Sequence, residues 1–117
     1  METNINNEIR PWGSFDILFE NKSCKIKRIE VNPGGRLSYQ YHQKRSEAWT
    51  IIEGQAKITL DGKEIRYKKG DTIVIPQGTK HRVENYTKEI LVFIEVQTGD
   101  YFGEDDIIRI NDDYGRK

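Results

Sequence analysis

The stretch GGRLSYQYHQKRSEAWTIIEG, residues 34–54, carries an alternating pattern of polar and bulky side chains between glycines. Because side chains along a β-strand point to opposite faces in turn, Gln40 and His42 share one face of their strand. Farther on, Glu47 has the same parity as the large apolar Trp49. We therefore predict that Gln40, His42 and Glu47 line one inner surface.

A second stretch, GDTIVIPQGTKHRVEN at residues 70–85, carries the other of the chain's two histidines, His81. Its glycines serve turns, and four β-formers precede a Pro-Gln-Gly turn. The spacing places His81 on a neighbouring strand of the same inner wall. The two stretches together predict a polar cluster inside a β-structure.

The rest of the chain consists of short runs rich in Ile, Val, Thr, Tyr and Phe, separated by glycine- or asparagine-rich breaks. Runs spaced about 8–12 residues apart are typical of an all-β sandwich or barrel. The predicted strands are Phe15–Phe19, Lys25–Val31, Trp49–Ile52, Ala56–Leu60, Lys63–Tyr67, Thr72–Ile75 and Ile90–Val96.

The connections and chain ends add detail to this prediction. Asp61-Gly62 predicts a two-residue hairpin, because both positions must accept positive φ. Glu104–Ile110 is predicted to form a short helical turn with acidic residues near its positive end. Residues 1–9 are predicted to be a flexible arm or an edge strand, and residues 10–117 a single domain.

Composition excludes several classes of function. The 117 residues include 19 basic and 19 acidic side chains, so there is no basic excess for nucleic acid or a membrane surface. No apolar run approaches the roughly 18 residues of a membrane span, and the first residues lack a secretory signal. Cys24, the single cysteine, cannot form an internal disulfide. We expect a cytoplasmic protein.

The two histidine stretches resemble the two halves of the cupin signature, with Gln40 where that family usually has its first histidine. The resemblance implies a small jelly-roll barrel and a divalent metal ion held by Gln40, His42, Glu47 and His81. Two imidazoles, a carboxylate and an amide oxygen suit Zn, Co, Mn, Ni or Fe. The alternative for Gln40 is a hydrogen-bonding residue of the pocket that does not ligate the metal.

Further blocks extend the resemblance to nearly the whole chain. They are similar to the type II mannose-6-phosphate isomerase domain, usually the C-terminal part of bifunctional mannose-1-phosphate guanylyltransferases/mannose-6-phosphate isomerases. The blocks are RPWGSF at 10–15, KIKRI at 25–29, RSEAW at 45–49, IP at 75–76, HRVEN at 81–85, IEVQTG at 94–99 and GEDDIIR at 103–109. The chain departs from that family at Gln43, Lys44 and Ala48, where histidines are common.

The family resemblance implies interconversion of mannose 6-phosphate and fructose 6-phosphate through a cis-enediol, which needs a general base. Lys27, on the predicted inner face, is the first choice, and Glu95 and Glu84 are the others. Arg45 and Arg109 are candidates for the phosphate, because arginine binds phosphate with two parallel hydrogen bonds. Trp49 either stacks on the sugar or packs in the core.

Three functions therefore stay open. The first is a metal-dependent sugar-phosphate isomerase. The second is a non-catalytic cupin module that binds a sugar phosphate or nucleotide sugar, or docks to an enzyme. The third is another metal-cupin enzyme, such as an epimerase or oxygenase. A homodimer is expected, with a separate guanylyltransferase as a possible partner.

Overall fold

The computed structural model of the chain describes residues 7–115, which form eleven β-strands and one short 3₁₀ turn (η1). The elements are β1 Asn7–Arg10, β2 Gly13–Glu20, β3 Cys24–Val31, β4 Tyr39–His42, β5 Arg45–Glu53, β6 Gln55–Leu60, β7 Lys63–Lys68, β8 Thr72–Ile75, β9 His81–Glu84, β10 Leu91–Gly99, η1 Glu104–Asp106 and β11 Ile107–Asn111.

The strands form two antiparallel sheets that face each other. One has the order β1-β2-β3-β10-β5-β8 and the other the order β11-β4-β9-β6-β7. The predicted all-β double-sheet fold is confirmed. In the described part of the chain, no helix has the length and hydropathy of a transmembrane segment.

The hydrophobic core lies on the inward faces of the central strands. In β3 every second residue is buried, and the buried set includes Ile29 and Val31. In the neighbouring strands Phe93 lies opposite both Ile29 and Ile51. The core residues are Trp12, Phe15, Ile29, Val31, Trp49, Ile51, Ala56, Ile58, Ile73, Ile75, Val83, Leu91 and Phe93.

The predicted hairpin at Asp61-Gly62 agrees with the backbone between β6 and β7. Asp61 has φ 46° and Gly62 has φ 83°, which are the two successive left-handed residues of a type I′ turn. Leu60 and Lys63 are paired across it. The turn fixes the register of the hairpin.

The predicted helical turn over Glu104–Ile110 is wrong in its extent. Only Glu104–Asp106 are helical, and Ile107–Asn111 form β11, which pairs with β4. Three of these five residues are isoleucines, whose branched Cβ favours a strand over a helix. Because this segment is a strand and not a helix, it lies beside β4.

The N-terminal segment contributes an edge strand. Asn7–Arg10 pair with Gly13–Asp16 of β2. Residues 1–6, which belong to the predicted arm, and residues 116–117 lie outside the described residues.

Candidate metal and active site

The inward face of the central strands changes from apolar to polar halfway along. In β10, Leu91 and Phe93 are followed on the same face by Glu95 and Gln97, and all four are buried. The cross-strand neighbours change with them, since Glu95 lies opposite Lys27. Burying such polar groups is costly unless they are paired, so this end of the sandwich contains a connected polar network.

Three potential metal ligands meet in this polar half. Atoms of His42 in β4, Glu47 in β5 and His81 in β9 all lie within 4.8 Å of one another. His42 Nε2 is 3.1 Å from Glu47 Oε2, and the two imidazole centroids are 5.0 Å apart. We call these three residues the His-Glu trio. All three are buried.

His81 presents a bare ring nitrogen to this cluster. Its Nδ1 lies 2.9 Å from the carbonyl oxygen of Thr79, so Nδ1 carries the proton and donates it. In the neutral ring Nε2 then bears the lone pair, and it is buried without a hydrogen-bond partner. A backbone carbonyl that fixes the tautomer in this way is typical of metal-binding histidines.

Glu47 is held by two donors. Trp49 Nε1 donates to Oε1 at 3.0 Å, and Arg45 Nε donates to Oε2 at 2.8 Å. Burial alone raises the pKa of Glu47, but His81 and Arg45 outweigh it and the pKa is lowered. Glu47 is therefore an anion in the interior.

His42 is neutral. Burial, Arg45 and His81 together lower the pKa of His42 to about 3. Metal ligation requires the unprotonated imidazole, so no proton has to be displaced from His42 at neutral pH.

The trio fits a divalent transition-metal ion. Two ligand atoms about 2.1 Å from one ion and at right angles to each other lie about 3.0 Å apart, close to the 3.1 Å between His42 Nε2 and Glu47 Oε2. Two nitrogens and one oxygen suit first-row metals. The unpartnered Nε2 of His81 supplies an independent reason to place a cation here.

Gln40 lies next to the trio, paired in register with His81. Its side chain lines the adjacent cavity, and its Oε1 accepts a hydrogen bond from Ser38 Oγ at 2.9 Å. Gln40 therefore shares the inner wall with the histidines, while its carbonyl oxygen already has one donor.

A cavity of about 60 Å³ opens beside the trio. It is lined by Arg10, Trp12, Phe15, Lys27, Ile29, Leu37, Ser38, Gln40, Arg45, Glu47, Glu95, Glu104, Ile107 and Arg109. Glu47 contributes to both the trio and the cavity wall. The cavity is therefore directly adjacent to the His-Glu trio.

Glu95 is the buried carboxyl of this cavity that lies outside the trio. Burial and the neighbouring Glu47 raise the pKa of Glu95 to about 7. The like charge of Glu47 therefore favours the protonated form of Glu95. Gln97 Nε2 also donates to Glu95 Oε2 at 2.6 Å.

The other predicted site residues separate into two groups. Lys27, Arg45 and Arg109 line the cavity. Glu84, which was a candidate base, lies on the opposite face of β9 from His81 and pairs with Lys57 at 3.4 Å. Trp49 is packed between Phe93 and His81, so it belongs to the core and borders the site through His81 and Glu47.

Comparison with known proteins identifies the family. A family model described as "Mannose-6-phosphate isomerase C-terminal" matches residues 2–112. The chain belongs to this family. It is related to the C-terminal part of mannose-1-phosphate guanylyltransferases, and it has a cupin fold.

Curated relatives of this family are much longer proteins. The chain is 45% identical over 107 residues to "Mannose-1-phosphate guanylyltransferase" of Salmonella montevideo, covering 92% of the chain and 23% of the relative. It is 43% identical over 116 residues to "Alginate biosynthesis protein AlgA" of Pseudomonas aeruginosa, covering 98% and 24%. The chain therefore spans about a quarter of the length of these relatives.

Solved structures support the cupin fold. The "Cnp3 Cupin Domain" of Schizosaccharomyces pombe has a TM-score of 0.74 at 19% identity, covering 84% of this chain and 69% of that one. Oxalate decarboxylase from Bacillus subtilis has a TM-score of 0.79 at 18% identity, covering 92% and 30%. At such identities the likeness concerns the fold alone.

The departures from the mannose-6-phosphate isomerase family lie away from the cavity. Gln43 and Lys44 are exposed in the turn between β4 and β5, where their backbone N–H groups donate to the Asp106 carboxylate at 3.1 and 2.9 Å. Ala48 lies on the outward face of β5, opposite to Glu47. The loss of histidines at these positions leaves the His-Glu trio complete.

Glu104 is the site residue that the sequence analysis missed. Its carboxylate reaches back from η1 to Lys27, 77 residues earlier in the chain. Nothing periodic predicts such a contact. The cluster Gly-Glu-Asp-Asp at 103–106 only indicated acidic character.

Proposed function

We propose that this domain is a sugar-phosphate isomerase that interconverts mannose 6-phosphate and fructose 6-phosphate. The observation that carries the proposal is the position of Glu95. A buried carboxyl outside the His-Glu trio lines the same cavity as Glu47 of the trio, and burial and Glu47 raise its pKa to about 7. An aldose–ketose isomerisation needs a proton carrier beside an electrophilic centre.

Glu95 is assigned the proton transfer between C1 and C2. The carboxylate takes the proton from C2 of the open-chain aldose, and the C–H electrons form the C1=C2 bond of a cis-enediol while O1 is protonated. Return of the same proton to C1, with loss of the proton on O2, gives the ketose. The proton lost from O2 balances the one gained by O1, so no co-reactant is needed.

A divalent ion on the His-Glu trio, with Gln40 as a fourth donor, would act as a Lewis acid on the carbonyl and enediolate oxygens. Arg45 and Arg109 line the cavity and provide guanidinium groups for the phosphate. Glu95 is favoured over Lys27 as the base because Lys27 is already engaged. Its Nζ donates to Glu104 at 3.3 Å and lies 4.1 Å from the centroid of the Phe15 ring.

The test is conversion of mannose 6-phosphate by the purified protein after loading with Co²⁺, Zn²⁺ or Mn²⁺, with fructose 6-phosphate as the measured product. We expect Glu95→Gln to lose at least about 100-fold in kcat, the lower range of general acid–base contributions. Glu84→Gln, on the outward face of β9, is the matched control and keeps the parent rate. The proposal fails if no metal supports conversion.

A second candidate is a module that binds a sugar phosphate without turnover. The cavity of about 60 Å³ is small beside the 300–1,000 Å³ of typical ligand pockets, which favours recognition of the phosphate end alone. In that case mannose 6-phosphate raises the melting temperature while no fructose 6-phosphate forms. A separate guanylyltransferase is then the natural docking partner, as the relatives are guanylyltransferases.

A homodimer is part of this proposal. Exposed apolar side chains lie at both edges of the six-stranded sheet, namely Ile9 on β1, 72% exposed, and Val74 on β8, 63% exposed. Edge strands with such side chains are suited to pairing with a second copy. Light scattering should give twice the 13.7 kDa chain mass, and a single chain mass at micromolar concentration contradicts the dimer.

A further inference from the structure

Two buried cations point at one carboxylate at the mouth of the cavity. Lys27 Nζ lies 3.3 Å from Glu104 Oε1, and Arg45 Nη1 lies 3.8 Å from Glu104 Oε2. The two cationic side chains are only 5% and 3% exposed, whereas that of Glu104 is 43% exposed. An accessible anion thus neutralises two cations that are almost fully inside.

In this arrangement the guanidinium of Arg45 does not have hydrogen-bond acceptors for all of its donors. Its Nε donates to Glu47 and its Nη2 lies 3.5 Å from His42 Nε2, both on the side of the trio. Nη1 is buried without a hydrogen-bond partner, since 3.8 Å is beyond hydrogen-bond distance. One donor of a buried guanidinium is therefore directed to the mouth with nothing close enough to accept it.

The charge of the cavity also favours an anion. Its lining holds four cationic and three carboxyl side chains: Arg10, Lys27, Arg45, Arg109, Glu47, Glu95 and Glu104. If Glu104 swings to solvent, the lining keeps two carboxyl side chains and four cationic ones.

We infer that Lys27 and Arg45 form a binding site for a phosphate monoester, and that Glu104 is a resident anion that the phosphate displaces. A phosphate carries up to two negative charges and three acceptor oxygens, enough for both Lys27 Nζ and the unpartnered Arg45 Nη1. A carboxylate at 3.3 and 3.8 Å satisfies neither as well. The inference rests on the proposed function and deepens it, because it places the phosphate of the sugar.

Glu104 is in a segment that can release it. It begins a three-residue 3₁₀ turn with no side-chain cap, and only its carboxylate contacts Lys27 and Arg45. The turn is anchored separately, because Asp106 accepts from the backbone N–H groups of Gln43 and Lys44. Movement of one side chain is enough to expose the two cations.

The test is calorimetric titration with inorganic phosphate, in the absence of metal, of the parent, Glu104→Gln and Asp105→Asn. If Glu104 covers the site nine-tenths of the time, its removal tightens binding about tenfold. Asp105→Asn loses the same charge from the same turn, but Asp105 pairs with the Tyr101 hydroxyl. We expect that control to stay within about twofold of the parent.

Three further measurements complete the test. Lys27→Gln should abolish phosphate binding, and Glu104→Asp, whose carboxylate is one methylene shorter, should fall between the parent and Glu104→Gln. Mannose 6-phosphate should show the same order of affinities as phosphate, whereas free mannose should show no binding. The inference is overturned if Glu104→Gln and Asp105→Asn bind phosphate equally, or if Lys27→Gln binds it as the parent does.

These outcomes separate the inference from the proposed function. Isomerisation by the parent with unchanged phosphate affinity in Glu104→Gln contradicts the anion site alone. Phosphate binding that follows the expected order, without any conversion of mannose 6-phosphate, contradicts the isomerase alone.

Discussion

The two halves of the inward sheet face are built from the same strands and are equally buried, yet they are chemically opposite. Phe93 and Gln97 are both on β10, on the same face, and both have 0% relative exposure. Phe93 packs against Trp49 with ring centroids 4.9 Å apart, whereas Gln97 donates to the Glu95 carboxyl. Burial alone therefore does not distinguish the apolar half of the sandwich from the half that holds the candidate site.

The difference shows how the two roles share one sheet. The apolar half fixes the backbone of β3, β5 and β10. Each strand then continues into the polar half with its side chains already directed inward. The polar half includes an isolated donor on Arg45 and a bare nitrogen on His81, which a stability-optimised interior avoids. We interpret this half as preorganised for ligands at a cost in stability.

The largest effect is expected from breaking the apolar half. Phe93→Ala should reduce the free energy of unfolding by about 3–5 kcal/mol, because a buried ring is lost and a cavity remains. Urea unfolding followed by circular dichroism measures it. A loss below about 1 kcal/mol would show that the apolar half does not dominate stability.

The next largest effect is expected from a substitution that disrupts the polar half but keeps the fold. His81→Ala should weaken retention of Zn²⁺ or Co²⁺ by more than about 100-fold, beyond the 10–100-fold typical of residues that only support a ligand. Elemental analysis after gel filtration measures the metal per chain, and circular dichroism checks the fold. Glu84→Gln on the same strand is the control. Equal metal in His81→Ala and the parent would remove His81 from the proposed metal site.

A smaller effect sharpens the contrast between the halves. Gln97→Leu should lower the free energy of unfolding by about 1–3 kcal/mol, because it removes the amide donor of Glu95 Oε2 and leaves that buried acceptor unpaired. Urea unfolding gives the stability. A loss as large as that of Phe93→Ala would mean that the polar half is as essential to folding as the apolar half.

The smallest effect concerns pH. Despite burial, which acts in the opposite direction, Lys27 and Arg45 lower the pKa of Glu104 below its ordinary 4.5. A carboxyl with a lowered folded-state pKa stabilises the fold above its unfolded-state pKa, and the contribution disappears as the pH falls through the folded-state value. The parent should exceed Glu104→Gln by less than about 1 kcal/mol, since the side chain is partly exposed.

Urea unfolding of both proteins between about pH 3 and pH 7 measures this difference. It should be complete above about pH 4.5 and vanish at the acid end. A difference that grows as the pH falls would contradict the ion pair.

Strand alternation was enough to predict much of the fold and part of the site. It placed Gln40, His42 and Glu47 on one wall and Lys27 on the inner face, because a period of two assigns a face without any tertiary information. The same rule places Glu84, another candidate base, on the face of β9 opposite to His81. It lies three residues after His81, an odd separation, and therefore on the other side of β9.

Other features depend on tertiary contacts that no local pattern encodes. Glu104 reaches Lys27 only because η1 ends where β11 pairs with β4. The helical turn is shorter than predicted for a similar reason. The isoleucines after Asp106 belong to β11, which pairs with β4 at the edge of the five-stranded sheet. The packed position of Trp49 depends on Phe93 and His81, which come from strands far apart in sequence.

The hydrogen bond from Trp49 Nε1 to Glu47 gives the domain an intrinsic optical reporter. The indole lies 5.6 Å from the His81 ring, so a change of charge on the trio alters the electric field across the chromophore. Trp12 is the chain's other tryptophan, and Trp12→Phe would leave the emission of Trp49 as the single signal. Cation loading can then be followed by fluorescence without any attached dye.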